Sequence, residues 1–543
     1  MFKKCTVLFV SCLSCSIPSI QAEYTVNVAL TPIQQVLGDT PENPCRLSAL
    51  RSQPIGQALD KLYQTTGYIS IWQDQNTIDD WHAQLQTLPA DGLNPDDYRR
   101  PAPAAEDNPV CVELHYSALY LQSLEHLSRG RLDQQRHEPV WESSSQLPQV
   151  QVDVARLGII GLEDMERAFD TARPSLPLYQ HLRNAYQQMD TAPPTLEPFP
   201  AGALLKPGAA DPRLPQLAQR LILSGFLNPD ASAGPLGSPV MAGPAVVAGQ
   251  PLLYDETLQQ AVRAFQTAHG LQPDAVIGPQ TIGALNISPR QRQQQVRINL
   301  ERLRWLNARR QHHSLLVNAA GSKAILYEGD NPRWQSRVQS GSPKRATPLL
   351  DSRINRVTIN PSWTIPPTIM REDKLPQIRA NPDYFAERNL MVLDRQGNRL
   401  DPADIDWHNP PGVLLREPPG PHNPLGRMVF RFDNPFAVFL HDTPSRALFE
   451  RAVRNVSSGC VRVEAAEELA DYLFYSLDQQ QRERIEQRMQ SGQTHEIAIR
   501  NGLQVLLTYW TAEGTEGGEL HFTPDPYELD AALIRAYQQA TGL

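Results

Sequence analysis

The chain has 543 residues, too many for a single hydrophobic core, so two to four domains are expected. Its 41% hydrophobic and 20% charged residues are those of an ordinary soluble protein, and 48 prolines point to long ordered loops and linkers. A formal charge of -9 argues against a nucleic-acid binder, which would present a basic face, and no helix-spanning apolar run follows the N-terminus.

Lys3 and Lys4 precede an apolar stretch, Cys5 to Ile20, broken by Pro18. Gln21-Ala22 before Glu23 offers a cleavage point, so residues 1–22 read as an export signal, with a buried first helix as the alternative. Its removal would take Cys5, Cys12 and Cys15 and leave Cys45, Cys111 and Cys460. In an oxidising compartment an odd cysteine is a reactive thiol or an intermolecular partner. Cys45 and Cys111 both fall in the N-terminal third, where a disulfide between them or two free thiols would fit; Cys460 stands apart.

Residues 45–190 read as a helical scaffold. Ile55, Leu59, Leu62 and Tyr63 form one apolar helical stripe, and Tyr116, Leu119, Tyr120 and Leu124 form another. Asp91-Gly92-Leu93-Asn94-Pro95 between them is a turn signal. A Pro- and Ala-rich linker follows, over about 186–213. The next unit, 214–288, has three short helices: one with Leu214, Leu217 and Leu221, one with Leu258, Ala261, Val262 and Phe265, and one entered at Gly278-Pro279. Asn228 to Gln250 reads as a loop insertion. From 310 to 505 the pattern changes to strands, at 314–317, 324–327, 356–359, 428–432 and 437–440. A proline-rich interval, 364–423, interrupts them and is the candidate lid. Glu464 to Tyr475 reads as a helix, and 506–543 as a C-terminal extension. The fold class expected is multidomain α+β: a mainly β domain with a lid insertion, a helical N-terminal scaffold and a small three-helix module.

The chemistry concentrates in Phe439-Leu440-His441-Asp442-Thr443-Pro444 and Ser457-Ser458-Gly459-Cys460-Val461-Arg462. A thiol nucleophile needs thiolate character, a base and donors for the developing oxyanion. Free cysteine titrates near ~8.5, and an imidazole or a helix N-terminus lowers that value. Cys460 shortly precedes the helical pattern at Glu464, so a helix dipole would add roughly 0.3–1 kcal/mol. Gly459 lets a substrate carbonyl approach the backbone. The competing readings are a buried core thiol for Cys460, a strand cap for His441, and for Arg462 a surface ion pair in place of a carboxylate clamp. There is no metal-ligand motif, and no cofactor is expected.

His441-Asp442-Thr443 followed by Ser458-Gly459-Cys460-Val461-Arg462 resembles the signature of the L,D-transpeptidases of YkuD type. The whole chain resembles their large YcbB-like branch, through Arg304-Trp305-Leu306, Thr347-Pro348-Leu349, Asn360-Pro361-Ser362-Trp363, Pro366-Pro367, Pro419-Gly420-Pro421 and Asn423-Pro424-Leu425-Gly426. Residues 214–288 resemble a peptidoglycan-binding module, through Ala264-Phe265-Gln266 and Ile277-Gly278-Pro279-Gln280-Thr281, and Asp91 to Tyr98 resembles the branch's scaffold.

The resemblance implies that Cys460 attacks the diaminopimelate carbonyl of a donor tetrapeptide stem, expels D-alanine and forms a thioester. His441 would hold the thiolate as an ion pair and take the proton of a diaminopimelate acceptor amine, giving 3→3 cross-links. The carbonyl of Asp442 would orient the imidazole, and the amides of Gly459 and Cys460 would line the oxyanion hole. Arg462 would organise the loop or meet a stem carboxylate. Ser458 stands where many members have histidine, and Phe439 where many have tyrosine. Also implied are a periplasmic location with membrane association left open, a part in cell-wall biogenesis and cell shape, acylation by carbapenems, and cell-wall synthesis or carboxypeptidase partners. The alternatives are a cell-wall peptide cysteine hydrolase (an L,D-carboxypeptidase), which would normally place cysteine before histidine, and a non-enzymatic peptidoglycan-binding protein.

Overall fold

The computed structural model describes residues 31–37, 45, 53–99, 108–143, 152–189, 195–228, 253–381, 383–475 and 477–541. The export signal at 1–22 and nearly all of the 228–250 insertion lie outside these. In the scaffold, the helices Gln75–Leu85, Pro109–Arg129, Val154–Glu163 and Met165–Ala172 start at Asp74, Asn108, Asp153 and Asp164, whose side chains accept backbone N–H groups of the first turn. Both apolar stripes face one core, with Leu62, Tyr63, Tyr120 and Leu124 fully buried and Tyr116 at its margin. Cys45 and Cys111 form a disulfide across 66 residues.

The module's helices, Leu214–Leu223, Glu256–Ala268 and Pro279–Leu285, share a core of Leu217, Leu221, Val262 and Ile277. Buried Gln266 accepts from the N–H of Ala275 and donates to Val276 O and Thr281, which pins the entry of the third helix. Phe199 and Leu205, read as linker, belong to this core.

The helix Pro289–Arg309 escapes a periodicity search because it has little apolar stripe, yet it is buried along much of its length. Its charges are matched internally: Arg304 and Glu301 form a fully buried pair at 2.7 Å, and Arg304 also donates to Asp91 O and Tyr179. Arg302 binds Glu138 at 2.7 Å and Asp530 at 2.6 Å. This helix joins scaffold and β domain.

The strands are β1 (Trp141–Glu142), β2 (His313–Asn318), β3 (Lys323–Glu328), β4 (Asn331–Gly341), β5 (Leu350–Ile359), β6 (Trp363–Thr364), β7 (Met391–Leu393) and β8 (Leu414–Glu417). They continue with β9 (Met428–Phe432), β10 (Leu440–His441), β11 (Asn455–Ser457), β12 (Val461–Val463), β13 (His495–Thr508), β14 (Ala512–Gly514) and β15 (Leu520–Phe522). The pairings run β5-β13-β2-β3-β4-β12-β10-β9 and return from β9 to β5, so the sheet closes and leaves these strands no free edge. Alternation sorts the side chains: Leu315, Val317, Leu440, Val461, Val505 and Leu507 fill one core, while Leu316, Ile325 and Leu506 pack on the helices outside.

Three sequence expectations need correction. The strand expected at 437–440 begins only at Leu440, because Asn434 binds the backbone of Phe432, Phe436 and Val438 in a turn and Ala437 has φ +54°. The boundary at 505/506 falls inside β13, and the helix Asp530–Thr541 packs on Pro289–Arg309 through Ile298, Trp305, Leu533 and Tyr537, so 506–543 is no separate extension. The 364–423 interval is not a bare loop. β6, β8 and β7 form a small sheet over its own core of Ile365, Leu375, Ile378, Val392 and Leu415.

Candidate active site

β10 and β12 run parallel, with Leu440 opposite Val461 and His441 opposite Arg462. Since Leu440 and Val461 point into the core, His441 and Arg462 project from the other face of the sheet. Cys460 stands in the bend one residue before β12, and ordinary strand alternation carried back one residue sets it diagonal to His441. Ordinary strand spacing makes that diagonal about 8 Å between backbones, a gap two side chains can bridge. On β4, Gln339 stands opposite Arg462 and accepts its Nη1 at 2.9 Å.

His441 is 4% exposed, and its Nδ1 lies 2.6 Å from Asp442 O. A carbonyl can only accept, so Nδ1 carries the proton and Nε2 is left as the basic nitrogen. The Asp442 carboxylate serves the frame: it accepts the Arg427 N–H and Arg446 Nη2, each at 2.8 Å. Gly426 has φ +61°, and a Cβ there would meet that carboxylate at 2.2 Å, so the turn before β9 requires glycine.

Among the described residues Cys460 is the free cysteine; it is partly buried, with its Sγ 3.8 Å from Ala437 O. Among the described contacts the thiol's partner is this carbonyl, not the imidazole. Burial raises the Cys460 thiol above its ordinary value, against smaller opposing effects of the Phe439 backbone and Arg462. Burial also lowers His441 to about 3, helped by the Arg462 guanidinium. Both shifts act against the charged forms of the two groups. The expected helix dipole is also missing from the thiol: β12 intervenes, and the helix Ala466–Phe474 starts beyond it.

Gly459 has φ +111°, a conformation open to glycine, and its N–H donates to Ser457 Oγ at 3.1 Å. That amide is thus engaged, which leaves Cys460 N–H as the available donor of the expected pair. Thr347 Oγ1 accepts the Gly341 N–H at 2.8 Å and donates to Gly459 O at 2.9 Å, tying the loop before Cys460 to the end of β4. Ser458 Oγ accepts from Arg345 at 2.8 Å. Arg345, Gln339 and the role of Thr347 were not found by sequence reasoning, since no local pattern marks them. A cavity of about 1140 Å³ opens between the module and the body, away from Cys460. Among the described residues no cluster of His, Cys, Asp and Glu could hold a metal ion.

Fold and site together define a β domain with a folded insertion at 364–423, which presents, among the described residues, one free thiol in the strand-end region that also holds a buried histidine. Residues 312–476 match the family described as "L,D-transpeptidase catalytic domain", 57–185 match "Scaffold domain", and 248–285 match "Putative peptidoglycan binding domain". A Haemophilus influenzae protein named "Putative L,D-transpeptidase" is 36% identical over 243 residues, covering 44% of this chain and 49% of that protein. The chain thus spans about half the length of that relative. Among solved structures, an L,D-transpeptidase from Mycobacterium smegmatis is 12% identical with TM-score 0.18, covering 36% of this chain and 58% of its own. One from Xylanimonas cellulosilytica is 17% identical with TM-score 0.18, covering 57% of this chain and 98% of its own. Three segments of the chain are thus similar to an L,D-transpeptidase catalytic domain of YkuD type, a scaffold domain and a putative peptidoglycan binding domain.

Proposed function

We propose that this protein joins peptidoglycan stem peptides by 3→3 links, with Cys460 as nucleophile and His441 as base. The observation that carries the reading is the β10–β12 register, which sets His441 opposite Arg462 and two positions along from Cys460, with the imidazole's Nδ1 held by Asp442 O. Rotation of the thiol away from Ala437 O brings it towards Nε2; resting geometries of this kind often tighten only when substrate binds.

Sγ attacks the diaminopimelate carbonyl of a donor tetrapeptide while its proton passes to Nε2. Since burial acts against both charged forms, transfer accompanies attack, and the imidazolium forms only as negative charge builds on the substrate oxygen. Cys460 N–H meets that oxygen. Collapse breaks the C–N bond, and His441 returns the proton to the departing D-alanine amine. The acceptor's diaminopimelate amine then attacks the thioester, its proton passes to His441, and the thiol is restored. Arg462 holds the row by its contact with Gln339, which favours loop organisation over a stem-carboxylate contact. Phe439 supplies no hydroxyl to the oxyanion, and its ring packs edge-on to His441 at 5.7 Å.

Transfer outruns hydrolysis only where water is excluded and the amine is held in place, an effect worth roughly 7–11 kcal/mol in well-oriented systems. The 364–423 lid is assigned that task. The signal read at 1–22 supports export to the periplasm, and carbapenems are expected to acylate the same thiol.

The test is incubation of the purified mature chain with disaccharide-tetrapeptides beside Cys460→Ala. Cross-linked dimers with released D-alanine, absent in the variant, are expected. Free tripeptide stems without dimers would make the protein a hydrolase, and absence of both products and thiol acylation would leave only wall binding.

A further inference from the structure

Arg345 occupies a place that the mechanism above does not use. It ends the short turn Pro343–Arg345 after β4, and its guanidinium reaches two regions at once. Nη1 donates to Ser458 Oγ at 2.8 Å, two residues before the nucleophile, and to Asp373 Oδ2 at 2.7 Å. Nη2 donates to Asp373 Oδ1 and to Glu372 Oε2, both at 2.8 Å. The carbonyls of Arg345 and Ala346 lie 3.9 and 3.7 Å from where a Cβ on Gly459 would stand, so this turn borders the nucleophile loop.

Glu372 and Asp373 belong to the lid, in a π-helical turn, Met370–Lys374; such turns are rare and occur often at functional sites. The fork is therefore filled by carboxylates carried on the lid's own small core, while Arg345 stands on the main sheet. All three side chains are partly exposed, and ion pairs at such positions are weak and exchange readily. The other arginine beside the thiol, Arg462, is largely buried and bound to Gln339. A planar guanidinium grips a carboxylate by two parallel hydrogen bonds, so the fork suits an incoming carboxylate of the same geometry.

We propose that Arg345 is a specificity-determining residue that receives a carboxylate of the acidic stem peptide, and that Glu372 and Asp373 occupy its fork until substrate displaces them. The proposal rests on the reading of peptide stems as substrate. It makes the lid's carboxylates competitors of the substrate: closure over an empty site satisfies Arg345 internally, and a stem carboxylate takes over the same donors beside Ser458.

The test measures binding, so that it stands apart from the chemistry. In the full chain carrying Cys460→Ala, calorimetry compares a disaccharide-tetrapeptide with the same compound amidated at its carboxylates. Arg345→Gln is expected to weaken the acidic compound about tenfold, the scale of one charge-assisted contact, and to leave the amidated one unchanged. The pair Glu372→Gln with Asp373→Asn, both on the surface, is expected to tighten the acidic compound several-fold. Equal losses for both compounds, no tightening on lid neutralisation, or no binding of either compound would overturn the assignment. In the active chain, Arg345→Gln is expected to raise KM more than it lowers kcat, and a pure fall in kcat would count against it. Carboxylate-selective binding without cross-linking would instead refute the transpeptidase reading and leave Arg345 in place.

Discussion

At the residue scale, burial acts against the charged forms of His441 and Cys460. His441 lies at about 3, so it stays a free base through the physiological range, while the Cys460 thiol is raised. Acylation of the thiol by a carbapenem or donor stem should therefore hold a plateau from roughly pH 5 to 8, with no loss centred near the ordinary imidazole value of about 6.5. A fall there would mean that His441 titrates normally. Thr347 offers a second check. It is buried and bridges Gly341 N–H and Gly459 O, so Thr347→Val strands both groups; a stability loss of about 1–3 kcal/mol and slower acylation are expected in denaturant melts and thiol-labelling rates. Cys460 and His441 were legible because each stands in a short local pattern. Arg345 was not, since its contact with Ser458 spans 113 positions and no spacing announces it.

At the element scale, the helix Pro289–Arg309 shows how charge can sit at the centre of a fold. Arg304 and Glu301 are wholly buried, and Arg304 closes onto Asp91 O and Tyr179 of the scaffold. Arg304→Met leaves the Glu301 carboxylate without its ion partner in the interior and should cost about 3–5 kcal/mol, read from the urea midpoint. A change below about 1 kcal/mol would mean that water or rearrangement satisfies it. Further along the scaffold, the Cys45–Cys111 bridge encloses 66 residues of sequence separation. Converting both to alanine should cost about 2–5 kcal/mol in thermal unfolding of the scaffold, chiefly by freeing the unfolded chain. The two scaffold stripes were readable from periodicity because one face of each helix is apolar. The central helix was hidden, because it is buried on several sides and mixes apolar residues with charged ones that find partners as far apart as Asp91, Glu138, Tyr179 and Asp530.

At the scale of the whole molecule, histidines link stability to acid. His126, His269 and His441 are each brought down to about 3, mainly by burial. Between pH 6.5 and 3 the unfolded chain binds protons there that the folded chain refuses, so stability falls as pH drops through that window, by up to about 1.4 kcal/mol per unit for each fully buried histidine. His126 is partly exposed and contributes less. Melting temperatures at pH 7 and 4.5 should differ accordingly, and an unchanged value would refute the burial argument. The module is tied to the body by His269 stacked on Phe522 at 5.6 Å and by Gln272 Oε1 accepting the Ala452 N–H at 3.2 Å, close to the nucleophile loop. Local features were determined by the sequence alone: the succession of helical, small modular and β units, the free thiol, the histidine, and the glycine beside the thiol. These depend on period, cap and turn chemistry within a few residues. Only the tertiary structure decided the closed sheet, the folding of the 364–423 insertion and its contacts with Arg345, the continuation of β13 past 505, and the burial of the site's thiol and imidazole. Each of those arises from groups far apart in the chain, through burial and partners that a linear reading cannot bring together.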